Sequence, residues 1–213
     1  MPELKSIEIE NECFKNVSEL KLIGMKMLKK VLIGMNCFTK KKSENDKNAY
    51  GLYVKSCELL RELKIGNHSF EEYSVCEIEN VGSLELIEVG DVCFKNVSEL
   101  MLIGMKLLKK VLIGNNCFTK KDNERITAWT GNRYRAVTKR VDDQGVYVLY
   151  VKNCELLREL KIGNHSFEEY SVCEIENVGS LELIEVRSEC FKNVSELKLK
   201  SDCSKMRMMT RFA

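Results

Sequence analysis

Proline is nearly absent: Pro2 is the only one in 213 residues, where ordinary composition would supply roughly ten. Connections must therefore be short and stereotyped, which directs attention to internal repetition. Long apolar runs are also missing. None approaches the ~20 residues a bilayer requires, so no membrane span is expected. Neither charge dominates, since 34 Lys and Arg stand against 32 Asp and Glu for a net charge of +2. That balance argues against a surface that binds polyanions over its whole extent. The opening MPELKSIEIE has no basic segment followed by an apolar core, so no secretory signal is read there. The expectation is a cytoplasmic location, with the cell surface as the alternative if this is part of a longer protein. With 44% hydrophobic and 31% charged residues, the chain is neither disordered nor collagenous.

What is present is repetition. Cys57 to Val89 recurs residue for residue at Cys154 to Val186, and FKNVSEL begins at Phe14, Phe94 and Phe191. Inside this duplication runs a 24-residue unit with first residues Leu4, Leu28, Leu60, Leu84, Leu108, Leu157 and Leu181. Three places on come Ile7, Val31, Leu63, Ile87, Val111, Leu160 and Ile184; two further on comes Ile or Val. A Phe closes each pattern, at 14, 38, 70, 94, 118, 167 and 191. Alternating pairs such as Leu20 and Leu22, or Cys76 and Ile78, mark a second apolar segment in each unit. Period-2 alternation reads as short strands, and a fixed return stacks them in parallel on their neighbours. One unit cannot bury its apolar side alone; several stacked units share a continuous core.

The segment LKKVLIGMNCF, Leu28 to Phe38, resembles the leucine-rich-repeat signature LxxLxLxxNxL with Phe in the last slot. The likeness covers nearly the whole chain. The Cys-Phe pairs and the CxxL entries at Cys57 to Leu60 and Cys154 to Leu157 are most similar to the BspA-type subfamily, known from surface and adhesion proteins. The resemblance implies a β-rich solenoid: a right-handed leucine-rich-repeat coil with a parallel β-sheet and about seven 24-residue repeats, residues 1–213 forming one unit. The family's Asn slot is here filled by Glu12, Asn36, His68, Val92, Asn116, His165 and Glu189. Ile-Gly stands where the subfamily often has Ile-Pro.

The residues that suggest chemistry all fall into repeat slots. Of the ten cysteines, Cys13, Cys37, Cys93, Cys117 and Cys190 precede a Phe, while Cys57, Cys76, Cys154 and Cys173 replace apolar residues of other units. Cys203 falls near the same kind of slot. They read as small buried hydrophobes, and no C-x-x-C pair supplies zinc spacing. A disulfide reading stays open for Cys13 with Cys37 and for Cys93 with Cys117, because each pair should lie on adjacent coils. His68 and His165 are one duplicated residue in the Asn slot and lack recurring catalytic company. GMKMLKK at Gly24 and GMKLLKK at Gly104 lack P-loop spacing. Five N-x-S sequons, at Asn16, Asn67, Asn96, Asn164 and Asn193, read as copies of the repeat. No catalytic residue, metal or cofactor is assigned, and the chain is not expected to be an enzyme.

A partner surface is the more natural product of such a chain. Outward strand positions form the columns Glu8, Leu32, Lys64, Glu88, Leu112, Lys161, Glu185 and Ser6, Lys30, Glu62, Leu86, Lys110, Glu159, Leu183. Beside them run Gly34, Gly66, Gly90, Gly114 and Gly163, suited to the turn after each strand or to a flat strip for a partner's backbone. Two insertions interrupt the period just after TKK. The shorter, 39–51, is basic; the longer, 119–148, contains turn-like TGN and DDQG between alternating runs and reads as a small β meander. Trp129, Arg133, Tyr134 and Arg135 in it are residue types that dominate binding hot spots. The expected function is a protein-interaction scaffold, with contacts at these four residues and at Leu32, Lys64, Glu88, Leu112 and Lys161. A structural or adhesive segment of a larger surface protein, able to self-associate end to end, is the alternative. Nucleic acid is disfavoured as a partner, because Lys40 to Lys42, Arg133, Tyr134 and Arg135 form no RNA-binding motif.

Overall fold

The computed structural model describes residues 3–41, 49–119, 147–200 and 207–210. These contain fifteen short strands and no helix. One eight-stranded parallel sheet has the order β1 (Ser6–Ile9), β3 (Lys30–Ile33), β5 (Glu62–Ile65), β7 (Leu86–Val89), β9 (Lys110–Ile113), β11 (Glu159–Ile162), β13 (Leu183–Val186) and β15 (Arg207–Thr210). Its register aligns the predicted column directly: Ile7 with Val31, Val31 with Leu63, and onward through Ile87, Val111, Leu160 and Ile184. The alternating segments become a second set of strands. β2 (Glu19–Ile23), β4 (Gly51–Lys55) and β6 (Val75–Glu79) form one parallel sheet; β8 (Glu99–Ile103), β10 (Val148–Lys152), β12 (Val172–Glu176) and β14 (Glu196–Lys200) form another. Consecutive coils thus stack into a solenoid-like body. Leu100 pairs with Leu149 as Leu20 pairs with Leu52, so both insertions leave the register of the flanking strands intact.

Between the sheets lies one continuous core of inward Leu, Ile and Val. Its spine is a file of phenylalanines. The rings of Phe14, Phe38, Phe70, Phe94, Phe118, Phe167 and Phe191 stack one on the next, with centroids 4.6 to 5.6 Å apart. Each aromatic pair adds about 0.5–1.5 kcal/mol beyond its burial. That helps offset an unusual backbone, since all seven Phe and the residue two before each adopt positive φ of 52° to 64°. Left-handed backbone costs an L-residue about 1–2 kcal/mol. The hydrogen-bond pattern shows what this conformation achieves. The N–H of His68 reaches forward to the carbonyl of Asp91, 2.8 Å, while that of Phe70 reaches back to Cys37, 3.1 Å. Each turn is thereby tied to both neighbours.

The slot before Phe is polar rather than merely apolar. Sγ of Cys37 donates to the carbonyl of Glu10, and Cys93, Cys117 and Cys190 donate to Gly66, Gly90 and Gly163 in the coils before them. Ser69 and Ser166 take the same place. Their fully buried hydroxyls donate to Gly34 and Gly114 at 2.8 Å and accept the N–H of Cys37 and Cys117 at 3.0 Å. Among the described residues the cysteines are free thiols. Burial pushes Cys76 and Cys173 up to about 12. Tyr73 and Tyr170 are further core residues that periodicity did not reveal; their hydroxyls donate to the carbonyls of Val17 and Val97.

Three placements differ from the sequence-based expectation. The acceptor ladder does not use the predicted Asn slot, whose residues are the positive-φ positions. It runs one residue earlier: Oδ1 of Asn11, Asn67, Asp91 and Asn115 accepts the N–H of Met35, Asp91, Asn115 and Asn164 at 2.6 to 2.9 Å. His68 and His165 are exposed in the turn. The glycine column does not mark left-handed turns, since none of its members has a positive φ. A Cβ at Gly66, Gly90, Gly114 or Gly163 would fall 2.4 to 2.6 Å from the preceding coil; glycine is needed because backbones meet there. Finally, the main sheet continues past the strand of the seventh unit into β15, with Met208 paired to Ile184.

Candidate interaction face

Strand alternation sends Ile7, Val31 and their column inward, and leaves the intervening residues of the eight-stranded sheet on the outer face. Along that face the outward pairs repeat every three strands. Lys30 with Leu32, Glu62 with Lys64 and Leu86 with Glu88 are followed by Lys110 with Leu112, Glu159 with Lys161 and Leu183 with Glu185. At one strand spacing per coil, two similar surfaces lie about 14 Å apart. An open-sided groove of about 520 Å³ runs from the end of the first of these over most of the second, from β5 to β13. Glu88, Leu112 and Lys161 line it together with Gly90, Gly114 and Gly163. The structure therefore brings three of the predicted contact residues together. Leu32 and Lys64 belong to the first surface, outside the groove.

The groove is charged but internally paired. Glu159 receives Lys161 at 2.5 Å and Lys110 at 3.0 Å; hydrogen bonds from these two ammonium groups hold its carboxyl below the ordinary range. Glu185 sits 3.2 Å from Nε of Arg187, and Lys64 reaches Glu88 at 3.3 Å across adjacent strands. Such part-exposed pairs contribute about 0–1 kcal/mol each to stability. Their consequence lies in recognition. A partner meets alternating signs around Leu112 rather than a field of one sign, so shape and local pairing discriminate more than net charge.

Elsewhere the surface offers less. His165, Glu168 and Glu189 bring potential metal-ligand atoms within 4.8 Å of one another. His165 Nδ1 is 2.8 Å from Glu168, but the ammonium of Lys192 lies 2.5 Å from Glu189 and 3.4 Å from Glu168. A protein cation already serves both carboxylates. On the second set of strands, Glu174 is raised by burial, yet hydrogen bonds from Lys152 and Lys198 outweigh this and leave it lowered. Lys198 and Lys200 of β14 reach Glu174 and Glu176 of β12, whereas β8 carries Met101 and Ile103, both exposed, at the corresponding positions of its coil. β6 and β8 are the adjacent pair left unjoined.

Trp129, Arg133, Tyr134 and Arg135 lie outside the described residues, as do 42–48 of the short insertion. Among the described residues no helix is long and apolar enough to cross a membrane. Four of the five sequons separate into two kinds, and Asn96 is half-buried. Asn67 and Asn164 spend their Oδ1 atoms on the ladder and on Ser188, and the Ser of each is fully buried; Asn16 and Asn193 are exposed. No protein-family model, curated protein or solved structure matches the chain.

Proposed function

We propose that the chain is a right-handed leucine-rich-repeat solenoid of about seven 24-residue repeats, most similar to the BspA type, that acts as a protein-interaction scaffold and not as an enzyme. The observation that carries this reading is the groove in which Leu112 is ringed by Glu88 and Lys161 on consecutive strands of a rigid parallel sheet. A central apolar residue with a polar rim is the arrangement that concentrates binding energy at an interface. The balanced ion pairs favour a folded protein partner over a nucleic acid, whose binding would rest on uncompensated cations. Trp129, Arg133, Tyr134 and Arg135 belong to the proposal as a second contact carried by the long insertion.

The test begins with cross-linking of the purified chain in its native extract, identification of the linked partner, and titration of that partner in pure form. Leu112→Ala should weaken binding at least about tenfold with an unchanged denaturation midpoint. Leu32→Ala, on the similar surface outside the groove, should weaken it less. Equal binding by all variants would dismiss the sheet face as the contact surface. The second reading, a structural or adhesive segment, draws on exposed Leu197, Leu199, Met208 and Met209. It predicts concentration-dependent self-association in sedimentation without any other protein.

A further inference from the structure

Seven residues, one before each Phe of the stacked file, form a single column: Cys13, Cys37, Ser69, Cys93, Cys117, Ser166 and Cys190. The serines interrupt it. What remains is two pairs of cysteines on directly stacked coils, Cys13 with Cys37 and Cys93 with Cys117, and a single Cys190 whose neighbour is Ser166. Backbone contacts fix the separation within each pair. The N–H of Phe38 donates to the carbonyl of Cys13 at 3.1 Å, and that of Phe118 to Cys93 at 3.3 Å. The rings that follow stack at 5.2 and 5.6 Å. The Cα atoms are thus about one strand spacing apart, ~4.8 Å, inside the ~4.4–6.8 Å that a disulfide spans. In the inner pair each thiol donates to a carbonyl of the coil before it, Cys93 to Gly66 and Cys117 to Gly90. The pairs differ in access: Cys37, Cys93 and Cys117 are fully buried, whereas Cys13 is partly exposed.

We propose that Cys13 and Cys37 are a redox modification site, a dithiol that closes into an inter-coil disulfide by exchange with a small-molecule disulfide of the glutathione class, while Cys93 and Cys117 are the same pair shielded by burial. The Cys13 thiolate attacks one sulfur of the small disulfide, whose S–S bond breaks and releases one glutathione as thiol. Cys37 then gives up its proton and attacks Sγ of Cys13; the mixed disulfide breaks and the second glutathione leaves. Two protein thiols are oxidised and one small disulfide is reduced to two thiols. The contacts forfeited are the thiol hydrogen bonds from Cys37 Sγ to the carbonyls of Glu10, 3.0 Å, and Met35, 3.5 Å, and from Cys13 Sγ to that of Asn11, 3.5 Å. Ser69 limits the reaction, since its hydroxyl stands where a third thiol would continue the column.

The experiment treats the reduced full chain with excess glutathione disulfide at pH 8, quenches with acid, and maps thiols and linked peptides by mass spectrometry. The expected result is loss of both the Cys13 and Cys37 thiols in a peptide that joins them, at most a simple adduct on the partly exposed Cys190, and a chain that stays monomeric. Cys37→Ser should hold a stable glutathione adduct on Cys13, and Cys13→Ser should abolish reaction at this pair. Both substitutions copy the residue found at Ser69 and Ser166, so folding should survive, which circular dichroism checks. Accumulation of a Cys13 adduct in the unaltered chain, full retention of all thiols, or a disulfide between two chains would each overturn the proposal. Linkage of Cys93 to Cys117 at a rate equal to that of the outer pair would overturn the shielding.

Discussion

Alanine substitution at three glycines should produce three different outcomes, because the fold uses the missing Cβ in three different ways. At Gly114 a Cβ would lie 2.5 Å from Oδ1 of Asp91, 2.6 Å from the carbonyl carbon of Gly90 and 2.7 Å from the Asp91 nitrogen. Two of these obstacles are backbone, and both coils are held there by hydrogen bonds, Gly114 N–H to Val89 at 2.8 Å and Asn115 N–H to Asp91 at 2.6 Å. Overfilling a packed site costs about 1–3 kcal/mol. With no flexible chain end to yield, Gly114→Ala should fall near the upper limit, about 3 kcal/mol, which in a domain of this size lowers Tm by roughly 6–12 °C. Gly104 has open space around it but a φ of +69°. Alanine there meets only backbone strain, about 1–2 kcal/mol. Gly82 has open space and no positive φ, so Gly82→Ala should stabilise by about 0.4–1 kcal/mol through the unfolded chain. Urea midpoints at unchanged slope measure all three. A midpoint for Gly114→Ala equal to that of the unaltered protein, or a Gly82→Ala variant as damaged as Gly114→Ala, would refute coil-to-coil contact as the reason for the glycine column.

Two further predictions concern the buried polar slots. Ser69→Ala strands the N–H of Cys37 and the carbonyl of Gly34 and should cost about 2–4 kcal/mol, whereas Ser69→Cys, which copies the other coils, should stay within about 1 kcal/mol by urea denaturation; equal losses would show that the hydroxyl's bonds are immaterial. Cys76 and Cys173, with folded values pushed to about 12 by burial, ionise near 8.5 once unfolded. Their folded values are raised, so their contribution is complete below about pH 8.5 and declines as pH climbs toward 12, by up to ~1.4 kcal/mol per pH unit for each thiol. Denaturation midpoints between pH 8 and 10 should therefore fall more gently in the Cys76→Val, Cys173→Val double variant, and parallel profiles would dismiss these thiols as the cause.

The strand slots were legible because they obey rules that act along the chain. Alternation at Leu20 and Leu22 needs only a pleated backbone with one wet face, and the 24-residue return needs only that each coil lie on the last; the observed register follows both. Leu149 kept its slot across the long insertion for the same reason. The acceptor ladder left a signal that the family-like Asn slot concealed. Asn11, Asn67, Asp91, Asn115 and Asn164 recur one position earlier, and only Met35 and Ser188 break the run of Asn and Asp. Ser69 and Ser166 in a column otherwise of cysteines were a similar clue that the slot required a hydrogen-bond donor.

By itself, then, the sequence determined which residues face inward, how far apart the strands recur and which outward residues share a column, since periodicity alone sets these. Only the tertiary structure decided what one coil does to the next. The 2.5 Å clearance at Gly114, the reach of Ser69 to Gly34 and the second set of strands dividing between β6 and β8 depend on distances between residues 23 to 35 apart in the chain. The groove at Glu88, Leu112 and Lys161 joins residues farther apart still, across the long insertion. A column read from the sequence carries no spacing; the hydrogen bonds and ion pairs that join neighbouring coils set it, and with it the shape any partner would meet.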